Sequence, residues 1–229
     1  MTTEIKVITS MATRLLLAEM TEAFQQRSGC RVTIEAVGGV DVTKRVQAGE
    51  AFDVVIQASA GIDKLIAAGR VQAGSKVDLA RSGVAVAVRA GTSKPDISTE
   101  EALRAAVRAT RSIGYSTGPS GVALAKLFER WGIADEIRSR MVQAPPGVPV
   151  GTLVARGEVE LGFQQLSELM HLEGITVLGP LPPAVQIITT FSAGVCSGTH
   201  QADAVRAMLD YMNTPEAADA KRRQGMDPV

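Results

Sequence analysis

Apolar and polar positions along the first ninety residues alternate between two periods. Ile5-Lys6-Val7-Ile8 reads as a short strand, and Leu15, Leu16, Ala18, Met20 and Phe24 then supply one apolar face of a helix that stops near Gly29. Residues 31–37 alternate as a second strand. Gly38-Gly39, a helix over 42–48 and the buried strand Val54-Val55-Ile56 follow. A βαβαβ order of this kind predicts a parallel sheet with crossover helices. A helix over 62–68 ends at Gly69, and the strand 84–88 runs into Gly91-Thr92-Ser93-Lys94-Pro95, which reads as a lobe boundary.

A second series begins there: helix 99–110, strand 112–115, a glycine-rich turn, and helix 122–131 ending at Gly132. Helix 151–156 and strands 161–164 and 176–178 complete it before the cluster Pro180, Pro182, Pro183. Beyond the prolines, 185–191 and 194–196 read as strands and 202–212 as an amphipathic helix. The pattern predicts an α/β fold of two lobes, each a mostly parallel sheet flanked by helices. Lobe I comprises 1–91 plus 186–229, and lobe II comprises 92–185.

Composition narrows the partners. The 229 residues are 45% hydrophobic, yet no continuous apolar run is long enough for a membrane-spanning helix, so direct membrane insertion is not expected. The 24 basic and 24 acidic residues cancel and are scattered, which leaves no broad footprint for nucleic acid. Aromatics at 3% give few stacking platforms and favour a small non-aromatic ligand held locally. Cys30 and Cys196 are read as free thiols. Met1-Thr2-Thr3-Glu4 enters the first strand without a basic n-region and long apolar h-region, so the expectation is a cytoplasmic chain, or a periplasmic one whose leader has been replaced by a methionine. With two histidines and no histidine-cysteine cluster, phosphate loop, dinucleotide fingerprint or nucleophile elbow, neither a metal nor a cofactor is expected.

Four strand-to-helix junctions share small, hydroxyl or glycine residues: Thr9-Ser10-Met11-Ala12-Thr13, Gly38-Gly39-Val40-Asp41, Ser116-Thr117-Gly118-Pro119-Ser120-Gly121 and Pro145-Pro146-Gly147-Val148-Pro149-Val150-Gly151. Helix N-termini present unpaired N–H groups and partial positive charge, and in an open parallel sheet they lie where ligands bind. A small anion, carboxylate or oxyanion, is the ligand class this predicts. Arg14 at a helix start is placed for a bidentate pair and Lys44 for a point charge.

The chain resembles the type II periplasmic binding proteins, in particular the molybdate-binding-like branch of solute receptors, over nearly its full length. The likeness rests on Val7-Ile8-Thr9-Ser10, on 47–56 (Gln-Ala-Gly-Glu-Ala-Phe-Asp-Val-Val-Ile), on Pro119-Ser120-Gly121, on 157–165 (Gly-Glu-Val-Glu-Leu-Gly-Phe-Gln-Gln) and on Gly179-Pro180-Leu181-Pro182. It implies two lobes joined by crossing strands, a venus-flytrap closure on the ligand, and a transporter membrane component as partner if the protein is exported. Carried over by position, the ligand shell falls near Ser10 and Met11, Gly39 and Val40, Ser120 and Gly121, Pro149 and Val150, and Gln165.

Two departures favour a planar carboxylate over molybdate. Gly38-Gly39-Val40 stands where molybdate receptors carry serines, and Gln165 where they carry a tyrosine. The phrase Gly162-Phe163-Gln164-Gln165-Leu166-Ser167-Glu168-Leu169 is similar to a sister group that includes an aconitate isomerase. A binding protein, an isomerase of small unsaturated carboxylates, and a molybdate or tungstate receptor therefore stay open. An isomerase needs a group to move a proton, and Glu168, His171 and Lys44 are the available bases, with His171 expected on a helix.

Overall fold

The structure is a computed structural model and describes residues 3–229. The chain divides into two compact units, 1–81 with 190–229 and 82–189. The division differs from the sequence reading at both crossings. It falls inside β4 (Val77–Arg89), not at the Gly91–Pro95 loop, because one continuous thirteen-residue strand contributes its first part to one unit and its remainder to the other. The return crossing lies inside β9 (Ile188–Val195) for the same reason.

Unit 1 opens with β1 (Glu4–Ser10), a 3-10 turn at Met11–Thr13, α1 (Arg14–Ser28), β2 (Arg31–Val37), α2 (Gly39–Gln47), β3 (Val54–Ala58) and α3 (Ser59–Ala67). β1 lies between β2 and β3, parallel to both, and β9 runs antiparallel to β3. Side chains on β1 and β3 alternate between two cores. Ile5, Val7, Val54 and Ile56 join Leu16, Leu17, Met20 and Phe24 on one face, while Ile8 and Val55 join Val42, Val46, Ile62 and Leu65 on the other. This period of two, buried on both faces, is what a parallel sheet covered by helices requires. α1 ends where Gly29 turns left-handed (φ 69), a conformation that glycine adopts at little cost.

Unit 2 continues from β4 through α4 (Glu100–Ala109), β5 (Ile113–Tyr115), α5 (Pro119–Arg130), α6 (Ala134–Ile137), β6 (Met141–Gln143), α7 (Val150–Arg156), β7 (Leu161–Gln165), α8 (Leu166–Leu169) and β8 (Ile175–Pro180). β5 is parallel to β6 and β7, while β4 is antiparallel to β7 and β8. Val84, Val86, Leu161 and Phe163 meet Leu103, Leu124, Phe128 and Ile137 in its main core, with Phe128 and Phe163 edge to face at 6.0 Å. The chain then returns to unit 1, where α9 (Ala202–Met212) and α10 (Pro215–Arg223) cover the α1 face and β10 (Asp227–Pro228) pairs with the start of β4. Cys30 and Cys196 are both free. No helix among the described residues is long and apolar enough to cross a membrane.

Candidate functional site

Each unit carries a polar edge where its parallel strands end and helices begin. In unit 1 the register sets Ser10 beside Val37 and Thr9 beside Ile56, so β1, β2 and β3 finish together. Thr9 Oγ1 donates to the Ile56 carbonyl at 3.0 Å and lies 2.6 Å from Thr13 Oγ1, which donates to the Ser10 carbonyl at 3.1 Å. These bonds fix the turn and leave Ser10 buried, its Oγ a distant 3.4 Å from Thr13 Oγ1. A Cβ on Gly39 would stand 4.0 Å from Ser10 Cβ, which brings two of the expected ligand positions together. Val40, at 46% exposed, lies on the first turn of α2. Met11 is half-buried in the turn before α1. Arg14 and Lys44 are exposed, and neither forms an ion pair among the described residues, so both charges are available to an anion.

Gln57, not among the expected residues, belongs to the same edge. It is buried at the end of β3, accepts from Thr43 Oγ1 at 3.1 Å, and leaves Nε2 without a partner among the described residues. Gly61 makes room for it, since a Cβ there would lie 2.6 Å from the Gln57 amide carbon. A polar residue closing the run Val54-Val55-Ile56 was the signal for it.

In unit 2, α5 begins with Pro119 at its first position and has no side-chain cap. Ser120 is buried, with Oγ 3.3 Å from Ser116 Oγ. Gly121 is obligatory, because a Cβ there would sit 1.9 Å from the Ser116 carbonyl oxygen. The backbone of this junction is thereby held close to the preceding loop.

The end of β7 carries a hydrogen-bonded chain. Pro149 is the residue before α7, and the Val150 N–H donates to Gln164 Oε1 at 2.7 Å. Gln164 Nε2 in turn donates to Glu168 Oε1 at 2.7 Å. The Val150 amide, expected to meet the ligand, is thus already paired by a side chain. Burial pushes the Glu168 carboxyl up to about 7, against the opposing pull of the Gln164 hydrogen bond. Gln165 donates from Nε2 to Thr189 Oγ1 at 2.6 Å and keeps Oε1 buried and unpartnered among the described residues. His171 follows α8 and is not helical as expected, since α8 ends at Leu169. Gln164 was visible only as part of the phrase 162–169; its contact with Val150 is tertiary.

Unit 1 offers an anion hydroxyls, helix-start amides and two cations that form no ion pair among the described residues, and unit 2 by itself offers Ser120 with the start of α5 and the raised Glu168 carboxyl. No group of three or more His, Cys, Asp or Glu side chains arranged to hold a metal occurs among the described residues.

Comparison with known proteins agrees with this architecture. The chain is 36% identical over 235 residues to an aconitate isomerase of Pseudomonas sp, covering 99% of this chain and 88% of that protein. Its structure is similar to the periplasmic molybdate-binding protein of Azotobacter vinelandii, with a TM-score of 0.81 and 21% identity over 98% of this chain and 99% of that one. It is also similar to the sulfate-binding protein of Mycobacterium tuberculosis H37Rv, with a TM-score of 0.78 and 17% identity over 99% and 87%. Residues 5–227 match the model of the bacterial extracellular solute-binding protein family. With that match spanning nearly the whole sequence, the two-unit α/β chain belongs to the bacterial extracellular solute-binding protein family.

Proposed function

We propose that the protein binds a small polycarboxylate and interconverts the isomers of aconitate by proton transfer. The observation that carries this reading is the 36% identity to an aconitate isomerase across 99% of the chain. Glu168 supports it as the proton carrier, because a carboxyl with a value of about 7 is present in both protonation states at neutral pH. In the forward direction the Glu168 carboxylate takes a proton from the methylene carbon of aconitate, leaving an allylic anion. The same proton, or one exchanged from solvent, returns to the carbon at the other end. The double bond moves by one position, and no electrons are gained or lost overall. Within unit 2, Ser120 is proposed as a hydroxyl donor to a substrate carboxylate; within unit 1, Arg14, Lys44 and Ser10 are the groups proposed to hold an anion.

The test is proton NMR of cis-aconitate incubated with the protein in heavy water, beside a protein-free control. Appearance of trans-aconitate with deuterium on carbon is expected. A second reading is that of a solute receptor served by a transporter membrane component, and the family match favours it. Under that reading aconitate raises the melting temperature but is returned unchanged. A protein that neither binds nor converts aconitate refutes the first reading.

A further inference from the structure

Glu168 has two oxygens, and a proton carrier must present its proton from a defined one. The surroundings of Gln164 decide which. A backbone N–H can only donate, so Val150 obliges Gln164 to turn Oε1 toward it, at 2.7 Å. The other end of that amide, Nε2, also can only donate, and it faces Glu168 Oε1 at 2.7 Å. Oε1 must therefore be an accepting oxygen in either protonation state. Gln164 is 3% exposed and Val150 fully buried, so reversing the amide would set two acceptors and two donors against each other out of reach of water.

We propose that Gln164 is a positioning residue for Glu168: anchored by the Val150 N–H, its amide reserves Oε1 as an acceptor and leaves the exchangeable proton on Oε2. The inference rests on the reading of Glu168 as the proton carrier, and it adds the group that aims that proton. It also assigns a task to the Val150 amide, which serves the carboxyl through Gln164.

The elements packed against α8 are β7 and α7 and, through Leu166 and Leu169, β4 and β8. β7 and β8 carry no titratable side chain, α7 carries only Arg156 at its far end, 3.9 Å from Glu158, and β4 meets α8 through Ala85 and Ala87, with Arg89 at its end. On the chain beyond α8 the first titratable residues are His171 and Glu173. Burial and the Gln164 bond are the two influences on Glu168, and no charged side chain among the described residues adds to them. Losing the Gln164 donor should therefore move the carboxyl in one direction, upward.

The test follows the Glu168 carboxyl directly, by carbon NMR of ligand-free protein labelled at the glutamate Cδ, with Glu168→Gln identifying its resonance. The expected midpoint is near 7 in the wild type and higher by about 1 to 2 pH units in Gln164→Met, the value of a lost hydrogen bond to a charged group. The acidic limb of the pH profile of kcat for aconitate should move by the same amount, with KM changed less than about twofold. A Glu168 midpoint unchanged by Gln164→Met overturns the proposal. If that variant does not fold, the side-chain NH2 resonances of Gln164 in the wild type carry the test. They should shift with the Glu168 midpoint and stay flat across the same range in Glu168→Gln; flat signals in the wild type overturn the proposal too. Because these titrations need no substrate, a wild type inert toward aconitate would refute the isomerase reading alone.

Discussion

Replacing Glu168 by glutamine keeps the shape of the side chain and an acceptor for Gln164 but removes the titrating proton. In the folded protein the carboxyl lies at about 7 against an ordinary 4.5. A carboxyl raised in this way contributes its full stability below about pH 4.5, loses it as pH climbs toward 7, and adds no further slope above that. At about 1.4 kcal/mol per pH unit the whole swing is about 3 kcal/mol. The glutamine variant lacks this loss, so its stability relative to the wild type should improve by about 3 kcal/mol between pH 4.5 and pH 8.5. Other ionisable groups, such as Glu19 and Glu160, whose carboxyls are held below their ordinary range by hydrogen bonds from Arg223 and Arg111, occur in both proteins and cancel in the difference. Thermal unfolding followed by circular dichroism across that range reads the effect as a gap in melting temperature that widens by about 6–12 °C for a chain of this size. A gap that stays constant with pH would show that Glu168 is solvated, and would remove the physical basis for proton exchange at neutral pH. The same variant should bind aconitate and fail to isomerise it.

Gly121→Ala forces a Cβ against the Ser116 carbonyl, 1.9 Å away, and should cost about 3 kcal/mol or more in urea unfolding; a loss under 1 kcal/mol would mean that the junction is slack. Phe128→Ala opens the core of unit 2 and should cost about 3–5 kcal/mol. Trp131, the single tryptophan, reports it, since its ring lies 5.8 Å from that of Phe128 and its fluorescence should change in the folded variant. Burial, with the Asp53 carboxylate second, pushes the Cys196 thiol up to about 12, so at pH 8 only about one molecule in ten thousand carries the thiolate. Alkylation should label half-buried Cys30 well before Cys196, as mass spectrometry of digested protein would show.

Much of unit 1 was legible because its strands and helices are long and strictly periodic. β1, α1, β2 and β3 lie within a few residues of where Ile5, Phe24, Val37 and Ile56 placed them. The crossing was not legible. Arg81-Ser82-Gly83 interrupts the apolar pattern of β4, so the strand reads as starting at Val84 although it begins at Val77. α10 was missed because it buries Ala217 and Ala220, side chains too small to print an apolar stripe against Asp219, Arg222 and Arg223. β6 is three residues at a sheet edge, too short for a period to show. At the site, Ser10, Gly39 and Ser120 could be read from the composition of junctions. Gln57 and Gln164 owe their roles to partners distant in sequence, and no local pattern separates them from other buried amides.

The nesting of the two units sets an order of assembly. Unit 2 is one uninterrupted segment, whereas unit 1 is closed only when β9 pairs with β3, Val195 opposite Val54, and α9 supplies Val205, Met208 and Met212 to its core. On a ribosome the first eighty residues emerge with β3 lacking its β9 neighbour and the α1 face uncovered, and they stay so while the whole of unit 2 is made. Unit 2 has every strand and core residue it needs before the last forty residues appear. The nascent chain therefore holds a finished domain attached to an exposed, half-built sheet, and a chaperone that protects this protein during synthesis should bind its N-terminal strands. A chain cut short after Thr189 would keep all of unit 2 and leave unit 1 permanently in that aggregation-prone state.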